Sequence, residues 1–229
     1  MTVSLTPRLL GTARRNGQAT ASPQPLRDTV HLAGDGVPET RVLAYVEREL
    51  PPGGVPAYRA ARKTGARAIV LWADEHRGRQ VARLVTRSAQ KGRATYDVLD
   101  PHGQVIGTIT RRKAFRGGGL RTRWTVSQPG GPEAVGYQGR LFWWGVCWLL
   151  SPLIPFLFIG ALFENGDLPR APRRVRWRAG GRTVLENKPS SEAVLLHAPG
   201  SDPRTGAALA ALLESFKGWY RRSWDDHKE

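Results

Sequence analysis

Cysteine is nearly absent. Cys147 stands alone in 229 residues, which excludes a disulfide within the chain and any cysteine-based zinc cluster. It lies inside an apolar run, where a small buried hydrophobe is a simpler reading than a reactive thiol. The five histidines are scattered without ligand spacing, so no metal site is expected. No Walker loop, G-x-S-x-G elbow, H-E-x-x-H or C-x-x-C motif occurs. Gly117-Gly118-Gly119 is a glycine run without the strand–loop–helix context of a phosphate cradle, and Asp74, Glu75 and His76 read as a solvated turn. The expectation is a protein with no catalytic residue and no cofactor, not an enzyme. The first eighteen residues lack the apolar centre of a signal peptide.

Acidic residues are scarce too. Nineteen Asp and Glu face 35 Lys and Arg, a net charge of +16, and the basic residues are 29 Arg against 6 Lys. A surplus of this size suits phosphates of nucleic acid or anionic lipid head groups.

Against that polar background stands one long hydrophobic run, 141–163 (LFWWGVCWLLSPLIPFLFIGALF), with no charge in 23 residues. As a helix it reaches ~35 Å, enough for the ~30 Å hydrocarbon core of a bilayer. Three readings compete: one transmembrane helix, a re-entrant or interfacial hairpin bent at Ser151-Pro152 with Pro155 behind, and a buried core helix. In the hairpin, Trp143, Trp144 and Trp148 lie near the head groups, and Pro152, Pro155, Phe156 and Phe158 complete the inserting set. Residues 111–140 hold seven Lys or Arg against one acid, and 164–182 hold six against two. A single span usually has one basic flank. Matching flanks favour a segment that leaves and returns on one side.

Elsewhere the pattern is of β-hairpins. Residues 95–99 (TYDVL) lead through Asp100-Pro101-His102-Gly103 into 104–110 (QVIGTIT), and Asp-Pro-x-Gly is strong turn chemistry. Residues 120–127 meet 133–138 across Pro129-Gly130-Gly131, and 173–179 meet 182–187 across Gly180-Gly181. Residues 68–72, 79–87 and 193–197 suit further strands. Two strands resemble each other, RTRWTV at 121–126 and RVRWRA at 174–179. Period-two alternation puts Trp124 or Trp177 on a core face and Arg121, Arg123, Arg174, Arg176 and Arg178 on a basic face, the expected contact with an anionic surface. Near the C-terminus, Ser201 or Asp202 caps a helix with Pro203 at its first position, and Leu209, Leu212, Leu213, Phe216 and Trp219 form a core-facing stripe.

Tyr96, Val98, Asp100, Gly103, Ile106, Gly107 and Ile109, with the two tryptophan hairpins and the helix DPRTGAALAALL, resemble the tubby C-terminal-like group. That group includes LURP-one-related proteins and phospholipid scramblases. The resemblance covers roughly 67–216. It implies a closed antiparallel barrel around a hydrophobic helix, here 207–219, and membrane or lipid association; it carries over no catalytic residue. The chain departs from the pattern at 141–163 and by Glu214 and Lys217 in the helix.

The expected architecture is mainly β: antiparallel hairpins in a barrel-like or strongly curved sheet with a C-terminal helix, interrupted by a hydrophobic helical insertion at 141–163. Residues 1–38 read as a disordered basic tail and 39–66 as a helical or irregular lead-in. Residues 67–220 are the β-rich domain and 221–229 a charged tail. The expected role is lipid binding or scaffolding on a membrane with most of the chain cytoplasmic; the alternative is a basic nucleic-acid-binding module.

Overall fold

Short segments that alternate apolar and polar side chains bury one face when they pair side by side, and here they do so until the sheet meets itself. The computed structural model describes residues 2–8, 25–34, 40–90, 92–114, 119, 121–138, 174–188, 193–197 and 201–216. They form strands β1 (Val3–Arg8), β2 (Thr29–Gly34), β3 (Arg41–Arg48), β4 (Ile69–Trp72), β5 (Gln80–Gln90) and β6 (Arg93–Leu99). The order continues with β7 (Val105–Arg112), β8 (Arg123–Ser127), β9 (Ala134–Gln138), β10 (Val175–Ala179), β11 (Arg182–Lys188) and β12 (Ala193–Leu196). Each strand pairs antiparallel with its neighbours in sequence, and β12 pairs with β1 to close a twelve-stranded barrel.

Among the described residues two helices accompany it: α1 (Gly54–Thr64) between β3 and β4, and α2 (Pro203–Ser215) after β12. Helix α2 fills the barrel. Asp202 caps it by accepting from the Arg204 N–H at 2.8 Å, with Pro203 following, as its sequence predicts. The expected stripe faces the core at Leu209 and Leu212, with Leu213 and Phe216 packed against it. Trp219 lies outside the described residues, and the burial extends beyond a stripe. Ala207 to Leu212 are all buried, so the helix is covered on every side, because a closed sheet surrounds it rather than one layer beneath it. It ends at Ser215 with Phe216 as C-cap. Small residues let it fit: a Cβ on Gly206 would sit 2.5 Å from Leu5 Cδ1, and one on Gly107 would sit 2.7 Å from Thr205 Cγ2. Helix α2 touches β1–β5, β7 and β12. Toward β8–β10, the large side chains of Trp124 and Trp177, at most 2 % exposed, fill the interior.

The N-terminal tail is corrected. Within 1–38, β1 and β2 are barrel strands, with Leu5, Val30 and Leu32 in the core. Val3 faces Leu196 and Leu5 faces Val194, so the tail's first residues close the sheet. Pro7 lies beyond the end of the β12 ladder, where one missing N–H costs no strand pairing on that side. The lead-in at 39–66 contributes β3 as well as α1; Ala44 and Val46 point inward at period two. The apolar run 141–163, with its inserting residues Trp143 to Phe158, lies outside the described residues. Among those described, no helix is long and apolar enough to cross a membrane.

Gly136 illustrates how tightly the tryptophan side is packed. A Cβ there would meet Val175 Cγ1 at 2.8 Å and Trp177 Cδ1 and Cγ at 3.0 Å, all fully buried neighbours. A β-branched side chain and an indole ring have little room to yield. We expect Gly136→Ala to cost about 1–3 kcal/mol by overpacking, read as a lower midpoint in urea unfolding; an unchanged midpoint contradicts this packing.

Candidate functional site

The strand registers stack arginines into one transverse row on the outer wall. Arg93 faces Arg112, Arg112 faces Arg123, Arg123 faces Tyr137, and Tyr137 faces Arg176. Adjacent strands lie about 4.8 Å apart, so the row spans ~19 Å over β6–β10. Arg93, Tyr137 and Arg176 are exposed, and Arg112 and Arg123 are half-buried. The Arg121 guanidinium stacks over Tyr137 at 4.7 Å from the ring centre, and Arg178 is exposed one turn of the pleat further along β10.

Carboxylates are distributed unevenly around the wall. On β3–β6 each has its arginine: Arg77 holds Glu47 at 2.9 Å, Arg83 holds Glu49 at 2.6 Å, and Arg87 holds Asp97 at 2.7 Å. On β7–β10 the compensation is thinner. Arg123 lies 3.7 Å from Glu133, and Glu186 on β11 serves both Arg174 and Arg176. Arg93, Arg112 and Arg178 have no carboxylate partner among the described residues. The β3–β6 side is therefore the better compensated of the two, and the β7–β10 side carries the larger cationic surplus.

All five arginines expected from the sequence, Arg121, Arg123, Arg174, Arg176 and Arg178, lie at this cationic flank. The row adds Arg93, Arg112 and Tyr137, which single-strand patterning does not reveal, because only the pairing of β6 to β10 brings them into line. Glu186 is the other addition. Its carboxylate accepts from Arg176 Nε at 3.0 Å and from Arg174, with His197 Nε2 3.9 Å from its second oxygen. Burial works to raise its pKa, but the hydrogen bonds and charges of Arg176 and Arg174 outweigh it and hold the carboxyl below its ordinary value. A depressed carboxyl stabilises the fold above its unfolded pKa and loses that contribution as pH falls through the folded value. We expect Glu186→Gln to cost about 1 kcal/mol at pH 7, given the partial exposure of both arginines. Stability should then decline less with acid below about pH 4.5 than in the unsubstituted protein. Parallel pH–stability curves for the two contradict this role.

The flank sits at one particular end of the barrel. Tyr137 and Arg176 are followed in the ladder by Gln138 and Val175, which pair with each other. The connection 139–174 thus leaves and returns at adjacent points, one rung from the arginine row. At the same end, α2 finishes. Arg67, only 5 % exposed, donates through Nε to Ser215 Oγ at 3.0 Å and through Nη2 to the Ser215 carbonyl at 3.3 Å. Its Nη1 donates to the Arg62 and Ala66 carbonyls at 3.2 and 2.7 Å. It thereby joins the C-terminal ends of α1 and α2, where carbonyls are left over and the helix dipoles favour a cation. The Phe216 ring lies 4.2 Å from the guanidinium carbons of both Arg67 and Arg111.

Among the described residues no group of three or more His, Cys, Asp or Glu could hold a metal ion. Comparison with protein-family models, with curated proteins and with solved structures yields no match.

Proposed function

We propose that this protein is a membrane-associated, non-enzymatic lipid-binding or scaffold module. The apolar segment 141–163 and the cationic flank of the barrel hold it to the cytoplasmic leaflet. The observation that carries this reading is the pairing of β9 with β10: the segment between them begins and ends at one barrel end. A single crossing would put two paired strands on opposite sides of a bilayer. Two helical crossings would need about 40 apolar residues, and the run supplies 23. A shallow hairpin bent at Ser151-Pro152 meets both constraints. Arginines one rung away then lie at head-group depth, where each contributes ~1 kcal/mol near an anionic leaflet. A barrel closed around a buried helix is also what the resemblance to the tubby C-terminal-like group implies, and that group's association with lipid points the same way.

Flotation with sealed vesicles tests the reading. The protein is expected to float with phosphatidylserine-containing vesicles at low salt and to resist extraction by high salt alone, because the apolar segment is not screened. Full recovery in the soluble fraction at low salt overturns it. A second reading rests on Tyr137, an exposed ring within a row of arginines, an arrangement that also suits single-stranded nucleic acid. It requires retention on DNA or RNA that falls steeply with salt; no retention at low ionic strength dismisses it.

A further inference from the structure

Because every strand runs antiparallel to its neighbours, the connections of the barrel alternate between its two ends, and those ends differ in charge. The β3–β4 connection, which carries α1, shares an end with 139–174 between β9 and β10. The turns β4–β5, β6–β7 and β8–β9 and the start of α2 lie at the other end. Among the described connecting residues, with histidine taken as neutral, the first end carries eight Lys or Arg against Asp28 and Glu49. All eight but Arg67 are at least partly exposed. The other end carries five acids, Asp74, Glu75, Asp100, Glu133 and Asp202, against Arg77 and Arg79. The charge therefore changes sign along the barrel axis.

Helix α1 is fixed at the positive end. The Tyr96 hydroxyl donates to the Gly65 carbonyl at 2.6 Å, and Arg62 Nη2 donates to the Ser215 carbonyl at 3.2 Å. The C-terminal turn of α1 is thus tied both to the barrel wall and to the end of α2. Tyr58 is the buried side chain of α1, while Ala60, Lys63 and Thr64 are exposed. Twelve strands about 4.8 Å apart and tilted by ~40° make a barrel roughly 24 Å across. The arginine row on β6–β10 is centred on β8, more than a third of the way round from the root of α1 between β3 and β4. With β8 lowest, a barrel of that width holds the root of α1 ~20 Å above a surface, beyond the ~10 Å reach of charges at 0.1 M salt. Contact through the barrel end brings the row and α1 down together.

We propose that the barrel meets an anionic bilayer end-on, with the end that carries α1 against the head groups and Lys63 as a contact separate from the arginine row. The orientation rests on the membrane association proposed above and adds to it a second contact element. The five acids at the far end favour the same pose, because an anionic leaflet attracts one end of the barrel and repels the other.

Binding of the full chain to phosphatidylserine-containing vesicles, at about 0.1 M salt, tests this with equal charge reversals at the two ends. Lys63→Glu should weaken binding by about tenfold or more, and Lys63→Gln, which only removes the charge, by about fivefold. Arg79→Glu, at an exposed position of the far end, should bind as the parent does. A second measurement reads the pose itself. In a Cys147→Ser background, a fluorophore on Ala60→Cys should be quenched by a nitroxide on the lipid head groups, and one on His102→Cys, at the tip of the far β6–β7 turn, should not. A parent that binds no vesicles overturns the membrane reading and this orientation with it. If the parent binds, three results overturn the orientation alone: Lys63→Glu binding as tightly as the parent, Arg79→Glu losing as much as Lys63→Glu, or equal quenching of the two labels.

Discussion

Arg67→Met is expected to lower the unfolding free energy by about 3–5 kcal/mol, among the largest effects of any single substitution outside the hydrophobic core. The methionine keeps an apolar stem but removes the donor to the Ala66 carbonyl and to Ser215 Oγ. It also removes one of two donors to the Ser215 and Arg62 carbonyls, which retain Arg62 Nη2 and the Gly65 N–H respectively. These groups lie at the ends of α1 and α2, where helix carbonyls are left over. Tm should fall by roughly 6–20 °C for a chain of this size. The neighbouring Arg111→Met should leave stability unchanged or improved, because Arg111 is a partly buried charge with no described carboxylate partner, held only over the Phe216 and Trp124 rings. Two arginines on the same phenyl ring are thus predicted to differ in sign, and calorimetry of both variants reads it directly. Equal losses in the two would show that Arg111 is as structural as Arg67.

Reversing the outer row should have the second large effect. In Arg112→Glu/Arg123→Glu/Arg176→Glu, three cations become three anions on the flank nearest the root of the apolar segment. At ~1 kcal/mol for each arginine beside an anionic leaflet, removal of the three charges alone weakens vesicle binding by about a hundredfold, and reversal adds to that. Binding to neutral vesicles, which depends on the apolar segment, should change little. The opposite flank is the control: Arg83→Glu disturbs a pair with Glu49 that already cancels its charge, and should leave vesicle binding near the parent level. A triple variant that still binds anionic vesicles as tightly as the parent removes the row from the membrane account.

Local chemistry made much of the fold legible. The Asp100 turn, with the Asp100 carboxylate accepting from the His102 and Gln104 N–H groups, closes the β6–β7 hairpin where Asp-Pro-x-Gly announces it. The cap at Asp202 and the inward Trp124 and Trp177 were likewise readable from spacing. The strands β1 and β2 were not. Their six-residue segments are set in a stretch rich in Gly, Pro, Ser and Thr, and what orders them is pairing across the whole chain, Val3 with Leu196. No local pattern carries that information. The candidate site was half visible for a related reason. Alternation places Arg123 and Arg176 on an outer face, but their alignment with Arg93 and Arg112 depends on the register of five strands, and a bulge between Val98 and Leu99 shifts the β6–β7 pairing by one residue.

The central claim is that the chain meets the membrane from one side, through a segment whose two ends emerge together. Labelling with an impermeant thiol reagent, in a Cys147→Ser background with single cysteines at Gln138 or Asp167 and the protein bound to the outside of sealed vesicles, tests it most directly. Equal labelling of both positions without detergent is predicted. Labelling of Asp167→Cys only after the vesicles are opened would place the two flanks on opposite sides and contradict it.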